Sequence, residues 1–251
     1  MGKRLEPSLS DSGRMSFLEH LGELRTRLFR ALLALAVCFL VAWSQSARIF
    51  SFFVRPLQPY LGGNKLVFIE ITEPFLLYMK VSLLVAVFAA SPIILYQLWA
   101  FVSPGLYPHE RRYAGPFIVI ASCFFLSGGF FGYRVAFPYA ARFLLSIAGD
   151  FQPALTVKSL FRFESKIILG MGLVFEMPVA IFLLSRVGIV SPGFLLHNLK
   201  YAVLIIFVVA AIITPTPDVI TQCVFALPMV GLYLLGIGAA YLVPRGNARR
   251  D

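Results

Sequence analysis

Residues 75–102 read FLLYMKVSLLVAVFAASPIILYQLWAFV, a run of 28 residues in which Lys80 carries the only charge. A helix needs about 20 mostly apolar residues to cross the hydrocarbon core of a bilayer, so this run is long enough to span one. Its ends are punctuated. Thr72 suits an N-cap, Glu73-Pro74 opens the first turn, and Ser103-Pro104-Gly105 closes the run. The same criterion picks out Phe29–Ser46, Pro116–Phe137, Phe163–Ser185, Leu199–Ile213 and Val219–Val243. The expected fold class is therefore an all-α polytopic membrane protein with six transmembrane helices.

Composition agrees with that reading. Of 251 residues, 59% are apolar and 14% charged, against roughly 25% charged in a soluble domain. With a mean hydropathy of +0.83, a soluble globule of this size would lack polar residues for its surface. Disorder and collagen fail on the same ground. Cys38, Cys123 and Cys223 each lie in an apolar run without short spacing, which excludes a disulfide scaffold and reads as small buried hydrophobes.

The net charge of +10 is expected to orient loops rather than to bind nucleic acid, for which no module is visible. Thirteen basic residues fall in the N-terminal segment, the 102–115 and 186–200 loops and the tail. Five fall on the other side: Arg48, Arg55, Lys65, Arg142 and Lys158. Counting Lys80, Arg134, Arg162 and Lys166 there raises that to nine. The bias places both termini in the cytoplasm. Residues 16–243 read as one membrane domain between polar tails, 1–15 and 244–251. No small-residue cleavage site follows Trp43, so the first span is expected to be retained. The 45–73 loop is expected to lie partly ordered on the outer membrane surface.

Residues 16–30, SFLEHLGELRTRLFR, are amphipathic. At 100° per residue Phe17, Leu21, Leu24 and Leu28 form one stripe, while Glu19, Glu23, Thr26, Arg27 and Arg30 gather opposite. The leucine stripe is expected to face the apolar side of the interface, with the segment running into the first span. Glu23 and Arg27, one turn apart, suit a helix ion pair. Arg25 lands on the apolar flank and needs a carboxylate partner or a path to headgroups.

The segment from Phe17 to Leu28, FLEHLGELRTRL, resembles the amino-terminal signature of TatC, the receptor subunit of the twin-arginine protein translocase. Further matches follow in family order: Ser91–Gln97 (SPIILYQ), Trp99–Tyr107 (WAFVSPGLY), His109–Arg112 (HERR), Phe175–Val179 (FEMPV) and Thr214–Val219 (TPTPDV). Together they reach from residue 17 to about residue 230. The first fifteen residues match poorly, and Phe161 and Phe163 stand where many members have Tyr. The resemblance implies six helices in a concave, glove-like wall, with both termini cytoplasmic, in the bacterial cytoplasmic membrane. It also implies binding of twin-arginine signal peptides on folded cargo, assembly with the single-span subunits TatA and TatB and with other TatC copies, and transport driven by the protonmotive force.

Candidate functional residues divide into three groups. Glu110 follows Pro108 by two residues, and an acid in a first helical turn complements the helix dipole. The resemblance adds that the family places its twin-arginine contacts at the glutamates matching Glu23 and Glu110. Two separated carboxylates suit two guanidinium groups, which bind in bidentate fashion. Phe101 and Pro104 are expected at the signal-peptide site, with Arg25, Leu106 and Tyr107 supporting it. Glu176 stands inside the fourth span before Met177-Pro178. An intramembrane acid is a functional candidate, and the alternative is that it satisfies backbone groups freed by Pro178. Asp218 and Gln222, one turn apart, open the sixth span. Asp218 suits an N-cap, and the resemblance makes this tip a docking surface for TatA and TatB. Gly128 and Gly132 form a small-xxx-small pair suited to close helix packing.

Enzyme templates are absent: no Walker loop, HExxH, GxSxG or Cys/His cluster is present, so no catalytic residue, metal or cofactor is expected. His20, His109 and His197 are scattered and read as interfacial. Composition alone leaves one alternative, a small-solute secondary transporter. That reading would call for an internal repeat and discontinuous helices at the midplane, and neither is evident in the sequence.

Overall fold

A computed structural model describes residues 17–60, 66–102, 114–147, 155–214 and 218–242. The tails 1–15 and 244–251 fall outside these residues. The described chain is helical, with one isolated parallel bridge between Val67 and Thr156. Ten α-helices follow in order: α1 Phe17–Ser44, α2 Ser46–Val54, α3 Glu73–Val102, α4 Ala114–Phe131, α5 Phe137–Ile147, α6 Val157–Phe175, α7 Met177–Arg186, α8 Pro192–His197, α9 Leu199–Ile213 and α10 Val219–Tyr241. Five helical stretches are long and apolar enough to cross a membrane, and α9 is a shorter apolar sixth.

The order of packing explains how the spans assemble. α1 packs chiefly on α3, α3 on α4, α4 on α6, α7 on α10, and α10 on α9. The two main buried clusters lie along this wall, one centred on Phe137, Ile167, Met171, Phe225 and Met229, the other on Phe53, Leu77, Val81 and Tyr133. The expected glycine pair draws α4 onto α6: a Cβ at Gly132 would stand 2.9 Å from the Ile168 Cα, and one at Gly128 would press on Met171 and Phe175. Gly236 does the same between α10 and α7, where its Cβ would meet the Pro178 Cα at 2.9 Å.

Prolines set the irregularities. Pro92 lies inside α3, where it removes the donor for the carbonyl four residues back. Ser91 Oγ supplies one instead, donating to Phe88 O at 2.7 Å. Pro138 would strain the carbonyl of Arg134 in a regular helix. The chain relaxes into a π turn over Gly132–Ala136, in which Phe137 N–H bonds Gly132 O. The third span therefore does not stop at Phe137, as its sequence suggested, but continues through α5 to Ile147. Pro178 does more than kink the fourth span, which the sequence had suggested to be continuous: α6 ends at Phe175, and Glu176 N–H turns to Leu173 O.

Two further expectations need correction. The 45–73 loop does not rest on the membrane surface alone. Within it α2 and a 3₁₀ turn over Arg55–Tyr60 insert Phe53, Val54 and Leu57 into the core, and Tyr133 on the π turn donates to Phe52 O at 2.6 Å. Cys123 is exposed rather than buried. The amphipathic segment is continuous with the first span in α1, and its leucine stripe lies on the outer face, as expected of a stripe turned to the apolar side of the interface. Leu21, Leu24 and Leu28 are exposed, whereas Glu23 and Arg27 are half-buried against α3.

Span five is as short as its sequence suggested. α9 has 15 residues, about 22 Å at 1.5 Å each. Thr214 leaves the helix in an extended conformation (ψ 142°). A hydrocarbon core is about 30 Å thick, so α9 falls short of it by roughly a quarter.

Candidate functional site

The sequence-derived site residues fall in three places along this wall. The first is the end where α1 begins and α3 finishes. His20, Glu23 and Arg27 recur at helical spacing and turn toward α3. The His20 ring stacks on Phe101 with centroids 4.5 Å apart and planes 23° from parallel. Arg27 donates to Glu23 Oε1 through Nη2 at 3.0 Å and Nε at 3.3 Å, and its Nη1 reaches Gln97 Oε1 at 3.5 Å. Gln97 itself is buried.

This arrangement is a polar seam between two membrane helices. The carboxylate of Glu23 is one-fifth exposed, and the ion pair occupies only Oε1. A carboxylate accepts about four hydrogen bonds in all, so Oε2 remains able to receive a second guanidinium. Phe101, as expected, belongs to this place. One residue beyond it, Val102 leads into 103–113, which carries Pro104, Leu106, Tyr107 and Glu110. Those four residues lie outside the described residues. Arg25 projects from the exposed side of α1 beside Gly22, Leu28 and Phe29. Among the described residues no carboxylate pairs with it.

The second place is the broken fourth span. Glu176 sits at the junction of α6 and α7, with Oε1 buried and no hydrogen-bond partner. Its carboxyl does not cap α7. Sequence reasoning passed over a second acid on the same helix. Glu164, two turns into α6, is fully buried, and neither of its carboxyl oxygens has a partner. The signal was present, an acid inside an apolar segment, but Ser165 and Lys166 beside it gave the look of a span end. The two acids are 12 residues apart, about 18 Å along the helix, so they form separate polar points rather than a relay.

The third place is the tip of spans five and six. Asp218 caps α10: its Oδ1 accepts from Thr221 N at 2.6 Å. Gln222, one turn on, does not project freely. Its Nε2 donates to Phe207 O at 2.8 Å and joins α10 to α9. Thr214 Oγ1 donates back to Ala210 O at 2.9 Å, so both hydroxyl and amide satisfy backbone carbonyls in an apolar setting.

Known proteins resemble this chain in both sequence and fold. Residues 19–228 match the family model described as Sec-independent protein translocase protein (TatC). The chain is 46% identical over 240 residues to the Sec-independent protein translocase protein TatC of Koribacter versatilis (strain Ellin345), covering 94% of this chain and 89% of that one. It is 44% identical over 223 residues to the protein of the same name from Desulforapulum autotrophicum, covering 88% and 82%. Among solved structures it is similar to the crystal structure of the twin-arginine translocase receptor TatC, with a TM-score of 0.77 and 34% identity over 89% of this chain and 99% of that one.

Proposed function

The chain belongs to the TatC family of Sec-independent protein translocase proteins, and we propose that it is the receptor that binds twin-arginine signal peptides on folded cargo. It is an integral membrane protein and a protein translocase component. The receptor reading rests most heavily on Glu23, a half-buried carboxylate in the α1–α3 seam with one oxygen left unengaged by Arg27.

Guanidinium binds carboxylate through parallel charge-assisted hydrogen bonds, which a lysine ammonium does not reproduce. Glu23 supplies one such acceptor. Glu110 supplies the second, with Phe101 and Pro104 beside the peptide and Leu106 and Tyr107 bracing the turn. Arg25 has the wrong sign to be a ligand and serves to hold α1 at the headgroup level. Both termini lie in the cytoplasm and the protein resides in the bacterial inner membrane, a reading supported by the excess of Lys and Arg on the side of Glu23.

Assembly with TatA and TatB uses the short end of α9 and the start of α10. There Asp218 and Gln222 hold a fixed tip, and α9 is too short to span an undistorted core. Glu176 offers a polar contact within the wall. Export is driven by the protonmotive force, and other TatC copies complete the assembly. Titrating a labelled twin-arginine peptide against the reconstituted chain, beside a twin-lysine peptide, tests the receptor reading. Equal affinity for the two peptides would contradict it.

A further inference from the structure

A groove of about 290 Å³ opens between α3, α4, α7 and α10 on the membrane side that also holds Glu23. Its wall is almost wholly apolar, with Phe117, Phe124, Pro178 and Leu235 along it, and Trp99 and Arg186 at its outer rim. From Pro178 to Arg186 is eight residues of α7, about 12 Å. One leaflet of hydrocarbon is about 15 Å deep, half of the usual core. The groove thus follows most of one leaflet, from the headgroup level inward. We propose that it binds an anionic phospholipid, with one acyl chain along Phe117 and Phe124 and the phosphate held by Arg186.

Charge and polarity select this occupant. The guanidinium of Arg186 has five donors in a planar fork suited to phosphate, enough to serve a phosphate and a protein contact together. Trp99 supplies the amphipathic ring that favours the interface. An extended peptide would carry backbone groups into a wall that offers almost no polar partner. An acyl chain carries no such groups.

The chain has two tryptophans, which makes the test direct. Trp43 lies at the other end of α1, against Phe39 and Phe75, and Trp43→Phe leaves Trp99 as the sole emitter. The full chain is reconstituted in phosphatidylcholine vesicles. Phosphatidylglycerol or phosphatidylcholine with brominated acyl chains is then titrated in at low mole fraction. The expected result is half-quenching of Trp99 at about fivefold lower mole fraction of brominated phosphatidylglycerol, the scale set by one basic residue at an anionic lipid surface.

In Arg186→Gln the two lipids should quench alike, while Arg186→Lys keeps part of the preference. Quenching of Trp43 in a Trp99→Phe chain should distinguish neither lipid nor the Arg186 variants, which verifies that the fold is intact. Equal quenching of Trp99 in the parent chain would overturn the proposal. So would a preference that survives unchanged in Arg186→Gln. Protection of Trp99 by a twin-arginine peptide, with no preference between lipids, would assign the groove to the peptide instead.

Discussion

Arg27 holds Glu23 by a single carboxylate oxygen, with Nη2 at 3.0 Å and Nε at 3.3 Å, while its third nitrogen reaches toward Gln97 on the neighbouring helix. Arg27 is therefore a brace between α1 and α3 and, under the proposed receptor function, a resident competitor for the carboxylate offered to an incoming arginine. An i,i+4 pair of this kind contributes about 0.3–0.5 kcal/mol on an exposed helix, so the brace is weak and displaceable.

Removing the competitor should strengthen recognition. Arg27→Gln leaves both oxygens of Glu23 to the peptide, and peptide affinity should rise by up to about twofold, the factor that corresponds to a pair of about 0.5 kcal/mol. Isothermal titration with a twin-arginine peptide checks this. A marked fall in affinity would mean that Arg27 itself contacts the ligand.

Close packing at the glycine pair should be intolerant. A Cβ at Gly132 would stand 2.9 Å from the Ile168 Cα, backbone that has no side-chain freedom to yield. Gly132→Val should lower stability by about 1–3 kcal/mol, read as a fall in the thermal unfolding midpoint in detergent. Gly115→Ala, at a position with nothing within 4 Å, serves as the neutral comparison.

The link from Gln222 to Phe207 O should have a measurable but small effect on stability. Gln222→Leu removes the donor across α9 and α10, and hydrogen bonds between membrane helices contribute about 0.6 kcal/mol on average and up to about 1.7. Denaturant unfolding in mixed micelles should show a loss in that range. The helix cap at Asp218 should matter on a similar scale, about 1 kcal/mol for Asp218→Ala.

Glu164 should behave in the opposite way. Both of its oxygens are buried without a partner, and an unsatisfied buried polar group costs about 1–3 kcal/mol. Glu164→Met should therefore leave the protein as stable or more so, by thermal unfolding. A loss of several kcal/mol would mean that the carboxyl has a partner in the assembled translocase or the lipid.

The spans were legible because lipid imposes one rule on the whole length of a helix, an unbroken run of apolar residues, and that rule survives without tertiary information. α9 from Leu199 to Ile213 matches its sequence boundaries for this reason, stopped on one side by Asn198 and on the other by Thr214 and the prolines beyond. A kink at Pro178 was equally legible, because proline removes a donor wherever it stands, but the division into α6 and α7 at Glu176 was not. Nor was the partner of the polar stripe of α1. A leucine stripe opposite a charged stripe places the leucines toward lipid, where Leu21, Leu24 and Leu28 lie at no cost, but it does not say what the charged stripe meets. The polar stripe is then free to meet Gln97 and Phe101. The run past Phe137 was missed for a local reason: Pro138 reads as a stop, yet a π turn absorbs it. Glu164 was hidden by Lys166 and Arg162, whose charges mimic a helix end.

The proposed receptor function has two carboxylates, Glu23 and Glu110, reading two arginines. Affinity of a labelled twin-arginine peptide for the reconstituted chain, measured for the parent, Glu23→Gln, Glu110→Gln and the double variant, tests it most directly. Each single change should weaken binding by about 1.5–3 kcal/mol, the range for hydrogen bonds to charged groups, with thermal unfolding of the chain unaltered. Unchanged affinity in both single variants and in the double would contradict the account and leave Glu23 as no more than Arg27's partner in the helix.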